Sequence, residues 1–215
     1  MPNFTWYGHP LYRYKDNDNG RFISRNQILE WEQAGIEAGV DKAKSLAEPV
    51  VSGEITVGQW QEQMRELIKQ NAIQQAVLGC GGRGQMTQAD WGMVGGVIAD
   101  QYRYLDNFAQ QIANGELTAA QIAARSAMYI RSTKEAFERM QSRIRGLPMM
   151  PCYPGSGACS RCLTNCGCFW EYKWILSKNQ WECYWRLGIA EHCEDCIDNS
   201  GKWNPLIISP TQDTR

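Results

Sequence analysis

Apolar residues recur at helical spacing through the central part of the chain. From Ser24 to about Arg145 they return every three or four residues, the period of a helix that buries one face. Pro49, the glycine-rich run 79–84 and Gly115 interrupt the pattern at places where helices commonly end. Four helices are therefore predicted, with apolar stripes formed by Ile28, Trp31, Ile36, Val40 and Leu46; by Trp60, Met64, Leu67, Ile68 and Ala72; by Trp91, Val94, Ile98, Tyr102, Leu105 and Phe108; and by Ile122, Met128, Ile130, Phe137, Met140 and Ile144.

Polar residues mark where these helices begin. Ser24 and Thr87 are placed to cap the first and third helices. The segment Ser52–Trp60 matches Asn114–Ile122 at an offset of 62, sharing Gly-Glu-apolar-Thr and a later Gln. In each copy the glycine can end one helix and the threonine can start the next. The helical region is therefore expected to consist of two helical hairpins, produced either by duplication or by recurrence of the same turn chemistry.

The two ends of the chain differ from this helical region. Residues 1–25 are rich in aromatics, Asp, Asn and Gly, and are expected to form an extended arm with a polar turn at Lys15–Gly20. Near the C-terminus, Phe169–Trp174 and Trp181–Trp185 alternate in polarity around a short polar connection, which is typical of a β-hairpin. The predicted organisation is an N-terminal arm (1–25), a helical domain (26–146), a cysteine-rich zinc-ribbon-like module (147–205) and a C-terminal tail (206–215).

Composition narrows the class of protein. The chain has 215 residues, a formal net charge of -1 and 21% charged residues, so bulk charge gives no strong signal for nucleic-acid binding. No run approaches the roughly 18 to 20 apolar residues that a membrane span needs. A soluble protein made in a cytoplasm is expected, with no membrane partner.

Six of the nine cysteines lie in two short segments, Cys159–Cys168 and His192–Cys196. In a reducing cytoplasm, closely spaced cysteines are more often metal ligands than disulfide partners. The predicted hairpin lies between the two segments and would bring them together. Cys162, Cys166, Cys193 and Cys196 are therefore predicted to hold a structural zinc ion, which would stabilise a module with little core of its own.

The exact ligand set stays open at this point. Cys159 pairs with Cys162 at regular C-x2-C spacing, Cys168 is a possible substitute for Cys166, and His192 offers a nitrogen ligand. Disulfides and free thiols are the alternatives to a metal. Cys80, in the glycine-rich run, is expected to be a lone and partly buried thiol in a flexible connector.

A catalytic centre is not expected from these residues. A catalytic zinc keeps an open coordination position and usually has His or Glu ligands, whereas this chain has only His9 and His192. The scattered carboxylates are expected to be solvated surface groups.

Several segments together resemble minor head or head-morphogenesis proteins of tailed phages and prophages. The resemblance is carried by the order of the segments Tyr14-Lys15 to Gly20–Ser24, Ala123–Tyr129, Cys162–Cys168 and Trp185–Cys196, and it spans most of the chain. Its most specific parts are Thr-Asn-Cys-x-Cys and the later His-Cys-x-x-Cys. The chain departs from the better-known head-morphogenesis domains in lacking a His-Pro before the first Cys-x-Cys.

This resemblance implies a virion structural protein and not an enzyme. It would be made in the bacterial host cytoplasm and would contact capsid, portal or neck proteins, or further copies of itself, during head assembly. Two other functions are kept as alternatives: a zinc module that binds nucleic acid during packaging, and an enzyme that uses Cys80 or a cysteine near His192. The predicted fold is mainly α, with a four-helix body of two helical hairpins, an extended N-terminal arm and a small C-terminal zinc-stabilised β-hairpin module.

Overall fold

A computed structural model of the chain describes residues 3–157, 159–189 and 191–209. The protein is mainly helical, with a small antiparallel sheet near each end, and no helix in these ranges has both the length and the apolarity needed to cross a bilayer. The helices are α1 (Arg25–Ser45), α2 (Ala47–Ser52), α3 (Val57–Cys80), α4 (Gln88–Ala113), α5 (Ala119–Arg131), α6 (Lys134–Arg143) and α7 (Glu194–Lys202). The strands are β1 (Phe4–Tyr7), β2 (Arg13–Asp16), β3 (Phe22–Ile23), β4 (Phe169–Ile175), β5 (Gln180–Arg186) and β6 (Leu206–Ile208).

The two matching connectors form the same local structure. The Thr56 hydroxyl accepts from the Gln59 amide at 3.2 Å, while the Gln59 side chain accepts from the Thr56 amide at 2.8 Å. Thr118 and Gln121 repeat this capping box at the start of α5. The glycine three residues before each threonine has a positive φ, +79° and +70°. The predicted role of these segments as helix-to-helix connectors is therefore confirmed.

The predicted apolar stripes of the first helices meet in one core. Trp60 of α3 is completely buried and packs edge-to-face against Phe108 of α4, with ring centroids 5.2 Å apart. Helices α1 to α5 all contribute to this core, which contains Ile36, Val40, Ala43, Ala47, Val50, Trp60, Met64, Ile68, Leu105, Phe108, Ala109, Ile112, Ile122, Ala127 and Ile130.

The helical region differs from prediction in two places. Pro49 does not end the first helix but lies in the first turn of α2, where its missing N–H removes no helical hydrogen bond. The predicted fourth helix is divided into α5 and α6 at Ser132 and Thr133. Their buried hydroxyls donate to the carbonyls of Tyr129 and Ile130, both at 2.7 Å, which provides a local alternative to helical hydrogen bonding.

The N-terminal residues form a packed sheet and not a free arm. Strand β2 lies between β1 and β3, and Phe4, Trp6 and Tyr14 are at most 7% exposed. The Trp6 amide donates to the Gly81 carbonyl at 3.1 Å, and a Cβ at Gly81, whose φ is +81°, would collide with Trp6. The glycine run was expected to be flexible, but at Gly81 it is in close backbone contact with Trp6 of β1. The sheet shares its core with Ile28, Leu78 and Phe137.

The predicted C-terminal hairpin is present as β4 and β5, with Trp174 opposite Trp181. A 3-10 turn at Leu176–Lys178 joins the strands, and Asn179 follows it with a φ of +48°. Strand β6 pairs with β5, so residues 206–208 belong to the sheet although the sequence places them in a tail. Trp170, Trp185 and Trp203 pack together beside the cysteines, with ring centroids 5.3 to 5.6 Å apart.

Two arginines connect the C-terminal sheet to the rest of the protein. Arg25, at the start of α1, donates to the carbonyl of Trp170 in β4. The Arg145 guanidinium lies 4.4 Å from the Trp6 ring centroid and 4.8 Å from that of Tyr172. The N-terminal sheet, the helices and the cysteine-rich module are therefore in direct contact.

Candidate metal centre

The two cysteine segments meet at the first turn of α7. Cys193 is the N-cap residue of this helix and Cys196 lies one turn further on. Cys162 precedes a 3-10 turn, and Cys166 and Cys168 follow that turn and lead into β4. Because β4 and β5 form an antiparallel hairpin, the chain returns after β5 to the point where β4 began. The hairpin thus brings the two segments together, as the sequence predicts.

Cys196 lies at the centre of the cluster. Its Sγ atom is 3.6 Å from that of Cys166 and 3.9 Å from that of Cys162. Two triads share it, Cys162 with Cys193 and Cys166 with Cys168, and within each triad the three sulfur atoms all lie within 4.8 Å of one another. In a tetrahedral zinc site with Zn–S bonds of about 2.3 Å, the sulfurs are about 3.8 Å apart. The cysteine spacing therefore fits a thiolate-bound ion such as zinc.

His192 lies at the edge of the cluster. Its Nε2 atom is 3.2 Å from the Gly188 carbonyl oxygen, and its Nδ1 atom is 4.0 Å from Cys168 Sγ. A carbonyl only accepts hydrogen bonds, so in the neutral imidazole Nε2 carries the hydrogen and Nδ1 carries the lone pair. Metal-binding histidines commonly donate their second ring N–H to a backbone carbonyl in this way.

Hydrogen bonds within the cluster favour partial deprotonation. The Cys168 thiol donates to Cys166 and lowers the pKa of Cys166 to about 5. Burial raises the pKa of Cys193, but hydrogen bonds from the Cys162 thiol and the Cys196 amide reverse this effect and lower the pKa to about 7. Burial raises the pKa of Cys162 and of Cys196, and the hydrogen bond with Cys166 raises that of Cys168. Thiolates are the form that binds metal, so Cys166 and Cys193 are the two thiols of the cluster that favour this form near neutral pH.

The four predicted ligands are divided between the two triads. Cys162, Cys193 and Cys196 form one group, while Cys166 contacts Cys196 from the group that also contains Cys168. Of the three residues left open by the sequence, Cys168 and His192 lie at the cluster, whereas Cys159 is bonded to Cys152.

Cys159 has a different partner from the one that its spacing suggests. It forms a disulfide with Cys152, with the two Cα atoms 5.5 Å apart, and is therefore not free to bind a metal. The expectation that closely spaced cysteines in this chain are ligands is wrong for this residue. Cys152 lies seven residues earlier, before the turn-rich segment, and the spacing pattern gave no reason to pair the two.

The remaining two cysteines are buried away from the cluster. Cys80 is completely buried and not partly buried as predicted, and burial raises its pKa to about 11. Cys183 faces inward from β5, and burial raises its pKa to about 12. Both are protonated thiols at neutral pH, the less nucleophilic form of cysteine.

Two carboxylates lie between the helices and the cysteine-rich module, although the sequence places such groups at the surface. Glu32 of α1 and Glu138 of α6 are 5% and 1% exposed. Burial raises the pKa of both, and that of Glu138 reaches about 7 although Lys134 and Arg25 act to lower it. Glu138 therefore lies in a site that favours its neutral form near pH 7.

Comparison with known protein families, with curated proteins and with solved structures gives no match to this chain.

Proposed function

We propose that this chain is a structural protein whose cysteine centre holds zinc. The observation that carries the proposal is the meeting of two thiol triads at Cys196, with Sγ–Sγ distances of 3.6 and 3.9 Å. Thiolate-rich sites favour zinc among the common structural ions, and sites closed by protein ligands contribute directly to folding.

The bound ion would join three parts of the module. It would connect the turn after Cys162, the start of β4 and the first turn of α7, which are separate segments of the chain. The Arg161 amide donates to the Asp195 carboxylate at 2.7 Å, and the Arg161 guanidinium lies 2.7 Å from Glu194. These contacts hold the same two segments together around the centre, as surrounding hydrogen bonds do at many metal sites.

We further propose that the protein acts in the assembly of a tailed-phage head, through contacts with capsid, portal or neck proteins. The support is the resemblance in Cys162–Cys168 and Trp185–Cys196, two segments that lie in one module of the fold. In this role the zinc would fix the shape of a contact surface.

Metal analysis of the purified full-length protein tests the zinc proposal. Under reducing conditions we expect stoichiometric zinc in the wild type and in Cys80→Ala, whose altered thiol is buried outside the cluster. Cys196→Ser should lose zinc because it removes the thiol common to both triads. Zinc-free wild-type protein, after expression with zinc supplied, would refute the proposal. If Cys196→Ser does not fold, a chelator can instead be used to release zinc from the wild type. A colorimetric indicator then measures how much zinc the protein held.

The assembly proposal has its own test. Particles purified from a host that produces this protein should contain several copies of it in each head after nuclease treatment and density-gradient separation. Its absence from such particles would contradict the proposed role, whatever the metal content.

A further inference from the structure

The cluster contains more donors than one tetrahedral ion uses. Among the residues that the structure describes, five thiols surround or include Cys196, and the His192 imidazole lies beside them. A structural zinc ion takes four ligands. A single ion would leave two of these donors without a metal although they lie in the same cluster.

The donors are divided into an inner and an outer group. The inner group contains Cys166, Cys168 and Cys196, all at most 3% exposed, and His192 Nδ1 lies 4.0 Å from Cys168 Sγ. The outer group contains Cys162, Cys193 and Cys196, of which the first two are partly exposed. Cys196 is the thiol common to both groups.

We propose that the centre binds two zinc ions that share the Cys196 thiolate, a proposal that rests on the zinc-binding function proposed above. The inner ion is held by Cys166, Cys168 and Cys196. His192, whose Nδ1 atom lies 4.0 Å from Cys168 Sγ, moves toward the other two sulfurs to supply the fourth ligand. The outer ion is held by Cys162, Cys193 and Cys196, and water is its fourth ligand, since Cys162 and Cys193 are partly exposed. A thiolate sulfur has enough lone pairs to bind two ions.

The charges of the centre nearly cancel in this arrangement. Five thiolates against two divalent cations leave one surplus negative charge, and Lys134 of α6 favours the Cys166 thiolate. The Arg161 guanidinium pairs with Glu194 and Asp195, so its charge is already balanced. The inner site also has the hydrogen bond from His192 Nε2 to Gly188 that orients a ligand histidine.

Native mass spectrometry of the zinc-saturated, reduced full-length protein tests the ion count. We expect two zinc ions per chain in the wild type and in His9→Ala, which alters the only other histidine. Cys168→Ala/His192→Ala and Cys162→Ala each leave only two thiols at one site, and each should retain one ion, from the outer and the inner site respectively. One ion per saturated wild-type chain would overturn the two-ion proposal and leave the proposed zinc function intact, whereas no bound ion would overturn both.

Cadmium-113 NMR of the wild-type protein tests the bridge without any substitution. Two resonances with mutual cadmium–cadmium coupling are expected, because the ions are connected through one sulfur. A single resonance at saturation, or two resonances without coupling, would overturn the shared thiolate.

Discussion

Glu138 lies where the cysteine-rich module packs against the helices, and the cost of burying its carboxyl group can be tested directly. Burial raises its pKa from the ordinary 4.5 to about 7, and Glu32 adds to this effect while Lys134 and Arg25 oppose it. The folded state therefore binds more protons than the unfolded state between these two values, so this residue lowers stability as pH rises from 4.5 to 7. At about 1.4 kcal/mol per pKa unit, the cost above pH 7 is about 3 kcal/mol. Glu138→Gln keeps the shape of the side chain and removes the ionisation, and should recover most of this free energy.

Urea unfolding followed by tryptophan fluorescence, at pH 5 and pH 8 with zinc present, measures the effect. The gain in unfolding free energy of Glu138→Gln over the wild type should be about 2 to 3 kcal/mol larger at pH 8 than at pH 5. Glu66→Gln alters an exposed carboxylate on α3 and should differ from the wild type by no more than about 0.5 kcal/mol at either pH. A Glu138→Gln protein no more stable than the wild type at pH 8 would refute the inference that a poorly compensated acid is buried here.

Three further predictions concern the caps, the helix contacts and the metal. Thr118→Ala removes the capping box of α5 and should lower the unfolding free energy by about 1 kcal/mol in urea titrations. An unchanged unfolding free energy would refute this assignment. Gly79→Ala places a Cβ 2.5 Å from the Phe137 carbonyl oxygen and should lower the unfolding free energy by about 1 to 3 kcal/mol. In Gly58→Ala the Cβ meets only Thr56 Oγ1, at an ordinary contact distance of 3.9 Å, so this change should be neutral or stabilising. Zinc can be removed with a chelator, or by lowering the pH until the thiolates are protonated. Either treatment should lower Tm while the far-UV circular dichroism spectrum keeps its helical signal. An unchanged Tm would contradict a structural ion.

Local sequence patterns were sufficient for the start of each long helix and for the hairpin. Thr56 and Thr118 each have Gln three residues later, and a capping box depends only on residues within one turn. The hairpin followed from alternating aromatic residues, which need only a neighbouring strand to form a sheet. Helix α7, by contrast, was not predicted. Its nine residues contain Gly201 and only two apolar side chains, Cys196 and Ile197, and its position depends on packing against β5 and the cysteines.

Contacts between distant segments could not be predicted in the same way. The N-terminal residues have the composition of an exposed arm, yet Trp6 packs against Gly81 and Arg145, which lie far along the chain. Glu138 looks like a surface residue in the sequence because nothing near it in the chain shows that β4 covers it. The disulfide between Cys152 and Cys159 was missed because it depends on the path of the intervening turn.

The sequence alone determined which residues supply the cysteine cluster, because two dense cysteine segments flank a hairpin whose ends must meet. The arrangement of the sulfurs was decided only by the tertiary structure. The position of Cys196 relative to the other thiols depends on how α7 packs against β5, and this placement divides the donors into two groups with one thiol in common. Spacing along the chain identifies possible ligands, whereas the distances between side chains on different elements decide which of them can hold the same ion.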